Sequence, residues 1–378
     1  MKLGDICSKI GSGATPRGGK DSYKDSGTAI IRSQNVLDWS FSSSGLAFID
    51  DDQSKALSNV EVKQGDVLLN ITGDSVARAC MVPSEFLPAR VNQHVAIIRA
   101  NEEANNLFLL AWLQANKGTL LKLASSGATR NALTKRMLEN LDVNLPSIDV
   151  QNKVAAFIDS IQAKITLNAR LNGYLLDLAT AQFEAALKER ASNVRLGDIV
   201  GLEDSKRVPL NSRDRESRKG PYPYYGATSI MDYVDDYLFD GVRVLLGEDG
   251  SVIDSEGKPV LQYVWGRYWV NNHAHILKAA GAYPLEAIYV ALRRTSIGHI
   301  VTGAVQMKIS QRNLKKLEVS MPDPGSLDYL QPLFAAYRNL CEESRHLVTL
   351  RDTLLPKLMT GEIAVSELNL KQLNSHLA

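Results

Sequence analysis

Cysteine is scarce: Cys7, Cys80 and Cys341 are the three in 378 residues. They are too dispersed and odd in number for a disulfide framework, and read as reduced thiols of a cytosolic protein. Long apolar runs are missing too. No stretch approaches the ~18 residues of a membrane span, and the N-terminus has no apolar signal core. The expectation is a soluble cytoplasmic protein with no membrane contact. Charge of one sign is also lacking, since 43 Lys and Arg stand against 42 Asp and Glu, a net of +1. The bulk basic character that marks many nucleic-acid binders is therefore absent. Basic residues gather only locally, at Lys206-Arg207 and over Arg213–Lys219. Apolar content of 44% suffices for real cores, and the length suggests roughly two to three domains.

Catalytic motifs are missing as well. The stretch Gly13–Asp21 imitates a phosphate loop, but Gly18 is followed by Gly19 and Lys20 by Asp21, so G-x-x-x-x-G-K-[ST] is not met. His273 and His275 lack a third ligand at metal-site spacing. Asp249 with Glu256-Gly257-Lys258 is a weak nuclease-like pattern in a Gly-rich hairpin. No G-x-S-x-G elbow and no Asp/Asn-Pro-Pro-aromatic methyltransferase motif is present. The expectation is no catalytic residue, no metal and no cofactor held by this chain.

What is present is a repeat. Residues 127–146 and 303–322 align without a gap, with Gly127/Gly303, Ala128/Ala304, Leu138/Leu314, Leu141/Leu317, Val143/Val319 and Pro146/Pro322 identical. Leu-Gly-Asp-Ile recurs at Leu3–Ile6 and Leu196–Ile199, and Val91-Asn92-Gln93-His94 is echoed by Val270-Asn271-Asn272-His273. Such self-similarity takes precedence over local signals. It gives two copies of one module, suited to something extended and itself repetitive.

Each copy opens with short strand-like segments broken by Gly, Ser, Asn and Asp, the pattern of an α+β globule, and closes with a long heptad run. The first run follows Ser147, a plausible N-cap, and has no proline to Arg190. Its seam is read as Val150, Val154, Phe157, Ile161, Leu171, Leu175 and Leu178, interrupted by Lys164 and Asn168. The second follows Ser326 and reads Leu327, Leu330, Phe334, Tyr337, Cys341, Val348, Leu355 and Leu358, ending at Thr360-Gly361. Pro356 is expected to kink its last turns. A single apolar stripe needs a partner, and equivalent places in the repeat make the two helices partners for each other. The predicted architecture is α+β: two similar globules separated by two long antiparallel coiled-coil helices, with a pseudo-twofold internal repeat. Its parts are a globule at 1–146, a helical spacer at 147–192, a globule at 193–322, and a distal helix with tail at 323–378.

Several phrases resemble the specificity (S) subunit of Type I restriction-modification systems. They are Gly65–Gly73, Pro223–Ala227, Leu246–Gly250, Trp269–His275 and Leu354–Ile363, in that order over nearly the whole chain. The resemblance implies two target recognition domains, each reading one half of a bipartite, asymmetric site in double-stranded DNA. It implies helices that fix the unread gap and dock two methyltransferase subunits, with motor-nuclease subunits joining the assembly. S-adenosylmethionine, ATP and Mg would then belong to those partners, and this chain would be non-catalytic. A single-chain restriction or methylation enzyme and a non-DNA protein scaffold are the alternative readings.

Base reading needs Arg, Lys, Asn, Gln, Ser or Thr on loops that reach a groove. In the first globule the candidates are Arg17, Lys20, Arg32, Ser33, Gln34, Asn35, Arg130 and Asn131. In the second they are Arg213, Arg215, Arg218, Lys219, Tyr224, Tyr225, Thr228, Gln306 and Lys308, with Ser229 beside Thr228. Asn92 and Asn271 are expected to satisfy strand ends rather than to read bases.

Overall fold

The computed structural model describes residues 1–125, 131–303 and 306–367. The chain divides into two compact units, Met1–Asn168 with the chain from Glu342 onward, and Ala169–Cys341.

In the first unit, strands β1 (Cys7–Ser12), β2 (Thr28–Ile31), β3 (Ala47–Ile49), β4 (Glu61–Val62), β5 (Val67–Asn70), β6 (Ala79–Met81), β7 (Ala89–Val91) and β8 (Val95–Ala100) build two four-stranded sheets. Their orders are β1-β8-β5-β6 and β3-β2-β7-β4. Val, Ile and Leu dominate β5 and β2, which are buried along their whole length, as β-branched residues on a covered sheet should be. One sheet packs against the helix Asn106–Ala115, whose Asn105 side chain accepts from the N–H groups of Leu107 and Phe108 at 2.8 and 3.0 Å.

The second unit repeats the plan. Its strands are β9 (Ala191–Arg195), β10 (Val200–Leu202), β11 (Lys219–Tyr225), β12 (Ile230–Val234), β13 (Phe239–Asp240), β14 (Arg243–Gly247), β15 (Leu261–Val264), β16 (Arg267–Val270), β17 (Ala274–Ala279) and β18 (Glu318–Pro322). The sheet orders β10-β17-β14-β15 and β12-β11-β16-β13 match those of the first unit strand for strand. Even the lone parallel neighbours correspond, β2 with β7 and β11 with β16. A ribbon closes the ends of each globule. Residues 1 and 3 bond to 143 and 141 in the first, and β9 pairs with β18 in the second.

The central helix runs Ile148–Glu189 and the distal helix Leu330–Thr360, passing through Pro356 and ending before Gly361 at φ 75°. Within each unit the facing helix segments run antiparallel. In the first, Gln162 meets Arg351 at 2.8 Å, and Asn168 reaches Glu343 and Ser344 at 2.8 and 3.2 Å. In the second, Asn172 meets Cys341 at 3.2 Å.

The seam itself needs correcting. Val154, Phe157, Ile161, Leu327, Leu330, Phe334 and Leu355 are buried as the spacing predicts. Val150, Leu171 and Leu178 are exposed, and Leu175, Tyr337 and Val348 are only half-buried. Beyond Ile161 the stripe passes through Ile165, Asn168, Asn172, Leu176, Ala179 and Phe183 instead. On the distal helix Leu347, not Val348, is the buried neighbour. An apolar-only reading skips polar seam positions and settles on the nearest leucines. Asn168 is fully buried, and its amide nitrogen donates to Glu343 and Ser344. Lys164, the other interruption, pairs with Glu343 at 3.0 Å.

Candidate nucleic-acid interface

Four chain segments converge at one rim of the first globule: the exit of β2, the β5–β6 loop, the β7–β8 turn and the segment around 131–133. Ile71 N–H donates to the His94 carbonyl at 3.0 Å, Leu133 N–H to Ile71 at 2.8 Å, and Gly73 N–H to Asn131 at 3.2 Å. The Thr72 hydroxyl and His94 Nδ1 lie 2.7 Å apart. Asn70, fully buried, donates to the carbonyls of Ser33 and Val36 at 2.9 and 3.2 Å and pins the β2 exit to this rim. Ser33, Gln34, Thr72, Ser75, Arg78 and His94 then line an open groove of about 460 Å³.

The second globule builds the same rim from the matched residues. Glu248 N–H donates to His273 at 2.8 Å, Ile309 N–H to Glu248 at 2.8 Å, and Gly250 N–H to Met307 at 3.0 Å. His273 Nδ1 and Asp249 Oδ1 are 2.6 Å apart. Lys308 Nζ reaches Glu248 at 3.4 Å. Gln262 donates to the Gly226 carbonyl at 3.0 Å, holding the β11 exit beside this rim. The turn chemistry shared by the two rims lies in the asparagines. Asn92 Oδ1 accepts from His94 N–H at 3.1 Å, and Asn271 Oδ1 from His273 N–H at 2.8 Å. Both therefore satisfy strand ends.

The structure separates the candidates. Arg17, Gln34, Asn131, Arg213, Thr228, Ser229, Gln306 and Lys308 are exposed on loops, turns or short helices. Lys20 lies in the turn Gly19–Ser22, and Arg130 lies outside the described residues. Ser33 is half-buried on the groove wall.

Others are structural. Asn35 is fully buried, and its amide donates to the carbonyls of Ser42 and Ser44 at 2.9 and 3.2 Å. Arg32 donates to the Gly45 carbonyl and lies over the Tyr23 ring. Tyr224 and Tyr225 are core residues, with the Tyr224 hydroxyl accepting from Leu210 N–H at 2.9 Å. The basic run is largely neutralised by carboxylates from the neighbouring strand and turn. Arg215 pairs with Asp232 at 3.3 Å, Arg218 with Asp235 at 2.9 Å, and Lys219 with Asp232 at 2.7 Å. The Lys219 ammonium holds the Asp232 carboxyl below its usual range.

His273 lies exposed in the turn before β17, whereas His275 is buried on the strand, so they do not form a chelating pair. His275 instead joins Asp204 and Glu248, whose ligand atoms lie within 4.8 Å of one another. The donor set is already engaged. His275 Nδ1 faces Asp204 Oδ2 at 2.6 Å and Nε2 faces the Ile309 carbonyl at 2.8 Å. Gln311 donates to Asp204 at 2.7 Å and Arg207 to Glu248 at 2.7 Å. This is a buried polar brace under the rim loop.

The phosphate-loop lookalike has a structural use. A Cβ on Gly13 would lie 2.0 Å from the Val91 carbonyl oxygen, so glycine is needed there for close backbone approach.

Gly303, from the repeated Gly-Ala turn, has φ 91°, and a Cβ there would meet the Gln306 carbonyl oxygen at 2.1 Å. Gly303→Ala is expected to cost about 1–3 kcal/mol locally. It should break the reciprocal Thr302–Lys308 backbone bonds of 2.8 and 2.7 Å. Hydrogen exchange at Lys308 checks this: protection unchanged from the wild type would refute it.

Sequence reasoning passed over His94, Thr72, Arg78 and Asp249 as rim residues. The signal was available, because both echoed phrases end on histidine.

Two matched polar rims thus stand on duplicated globules of one fold. A family model of the Type I restriction modification DNA specificity domain matches residues 1–175 and 189–331. The Haemophilus influenzae type I restriction enzyme specificity subunit S.HindORF215P is 30% identical over 127 residues, 34% of this chain and 32% of that protein. The type I restriction enzyme MjaIX specificity subunit of Methanocaldococcus jannaschii is 24% identical over 288 residues, 66% of each. The matches thus span about a third and about two thirds of those relatives. The fold is similar to the crystal structure of the S subunit of the M. genitalium Type-I restriction-modification system, with a TM-score of 0.55 at 15% identity, covering 95% of both chains. The chain belongs to the Type I restriction modification DNA specificity domain family. No described helix is long and apolar enough to cross a membrane.

Proposed function

We propose that this chain is the sequence-reading subunit of a Type I restriction-modification assembly, each globule contacting one half of a bipartite site in double-stranded DNA. The observation that carries the reading is the duplicated rim, with Thr72/His94 and Asp249/His273 in matched positions. In the first rim Ser33, Gln34, Arg78, His94 and Asn131 are the contacts; in the second, Thr228, His273, Gln306 and Lys308. Arg17 and Arg213, exposed on the two globules, add positive charge. Balanced net charge leaves much of the non-specific phosphate attraction to partners. This chain contributes recognition and spacing, while S-adenosylmethionine, ATP and Mg are used by methyltransferase and motor-nuclease subunits. Co-expression with the methyltransferase subunit, followed by sequencing of methylated positions in the host genome, should yield a two-part motif with one gap length. A contiguous motif, or none, would count against the reading. Methylation by the purified chain with S-adenosylmethionine alone would instead favour a single-chain enzyme.

Two of the misplaced seam residues, Leu171 and Leu178, have a use in this reading together with Tyr174. Leu171, Tyr174 and Leu178 are 37, 67 and 45% exposed and follow heptad spacing along one face of the central helix. We assign this stripe to docking a helix of a methyltransferase subunit. Joint Leu171→Asp and Leu178→Asp substitution should leave the helical circular dichroism intact and abolish co-purification of that subunit. Ile161→Asp, at a buried position, should lower stability outright. Retained co-purification with both aspartates present would remove the stripe from the interface.

A further inference from the structure

Each globule is fastened to the distal helix by an arginine lying over one of the globule's aromatic rings. In the first unit, Trp39 sits between β2 and β3 at φ 64°, a left-handed conformation in which a bulky residue is strained. Its N–H donates to the Ala79 carbonyl at 3.0 Å, which Gln114 Nε2 also reaches at 2.7 Å. The guanidinium of Arg351 lies 4.7 Å from the Trp39 ring centroid and donates to Gln162 on the central helix at 2.8 Å. One side chain thereby touches globule, distal helix and central helix.

In the second unit, Arg338 lies 6.0 Å from the Tyr263 ring centroid and donates to its hydroxyl. That hydroxyl donates to Glu286 Oε1 at 2.7 Å, on the helix Leu285–Arg294. Gln331, on the distal helix, donates to Glu286 Oε2 at 3.2 Å. Glu286 is buried, so the network is directional and largely desolvated.

We propose that Arg351 with Trp39, and Arg338 with Tyr263 and Glu286, are positioning residues that fix the angle of each recognition rim on the helices and so restrict the gap lengths the protein accepts. This rests on the reading of the chain as a bipartite DNA reader. Buried charged networks are weak devices for stability, since apolar packing of the same volume often does as well. What they supply is direction: planar guanidinium, ring face and carboxylate admit few mutual orientations. Gap discrimination needs such orientation. One added base pair displaces the far half-site by roughly 3.4 Å and turns it by roughly 35°, from about 10 pairs per 34 Å turn. A globule free to rock by that much would accept neighbouring gaps with its base contacts unchanged.

The test uses the full chain co-expressed with its methyltransferase subunit, with methylated motifs read across the host genome. Arg351→Met removes the cation over Trp39 and the bond to Gln162 while keeping most of the aliphatic stem. Tyr263→Phe keeps the ring and deletes the hydroxyl that bridges Arg338 and Glu286, leaving only their longer direct contact of 3.5 Å, so it decides the matter if Arg351→Met fails to fold. The expected result is that both half-sites keep their sequences while methylation spreads to gaps one base pair longer and shorter. Arg351→Lys, which keeps a cation over Trp39, should narrow the spread again. A unique wild-type gap in Tyr263→Phe, with overall methylation unchanged or merely lower, overturns the proposal. A wild-type chain that directs no two-part motif sinks the DNA reading itself, a separate outcome.

Discussion

Asp204→Ala should unfold the second globule's core around β14 and β17 at far lower denaturant, at a cost of about 3–5 kcal/mol, the usual result of removing one partner of a buried ion pair, here that of Asp204 with Arg207 at 3.8 Å. Asp204 accepts from the His275 ring at 2.6 Å, from Ile276 N–H at 2.8 Å and from Gln311 at 2.7 Å. Its loss leaves a fully buried imidazole facing no carboxylate at that nitrogen's closest contact. Burial pushes the Asp204 carboxyl up, but the His275 hydrogen bond and the Ile276 N–H outweigh it, so its pKa lies below the ordinary 3.8. A depressed acid stabilises the fold fully above its unfolded pKa and loses that contribution as pH falls through the folded value. The wild type should therefore lose stability below about pH 4, and Asp204→Ala should lack that component of the acid transition. Hydrogen exchange of residues 243–279 against denaturant and pH is the measurement; wild-type protection in the variant would refute the assignment.

Exchange of residues 1–146 for the corresponding globule of another family member should replace one half of the methylated motif and leave the other half untouched. Each globule has its own buried clusters, one around Leu68, Ile97 and Phe108, the other around Leu246, Ile288 and Leu314. A mismatched base pair costs about 1–3 kcal/mol, roughly additively, so losing three read pairs would cost about 3–9 kcal/mol on the original site. Sequencing methylated DNA from cells carrying the hybrid decides it. Both halves changing together would show that the globules do not read independently.

The repeat, the strand-rich globules and the start of the central helix at Ile148 were legible because each leaves a pattern along the chain. Proline absence and a serine cap mark a long helix, and identical residues at fixed spacing mark duplication. Three things were not legible. The seam's true course depends on the amide nitrogens of Asn168 and Asn172 finding acceptors, which lie on a helix distant in sequence. The basic run from Arg213 looked free because its counter-charges, Asp232 and Asp235, follow a strand later and approach only when β11 pairs with β12. Tyr224 and Tyr225 are aromatic, as stacking platforms are, yet a strand alternating in a two-sheet core buries them. Exposure is a tertiary property, and the rim loops Ser33-Gln34, Thr228 and Gln306–Lys308 were found only because turn-forming polar residues tend to stay outside.

The antiparallel pairing of the helices has a consequence for synthesis. The central helix ends at Glu189 and the distal helix that covers it begins at Leu330. At translation rates of ~5–20 residues per second, Phe183 waits roughly 7 to 30 seconds and Ile161 roughly 9 to 40 seconds for their partners. During that interval the helix presents a naked stripe to every other nascent chain. Asn168 and Asn172, which interrupt the stripe at its middle, leave no uninterrupted apolar track along its whole length. Polar residues that cost little once bonded thus also keep the waiting helix from sticking to the wrong neighbour.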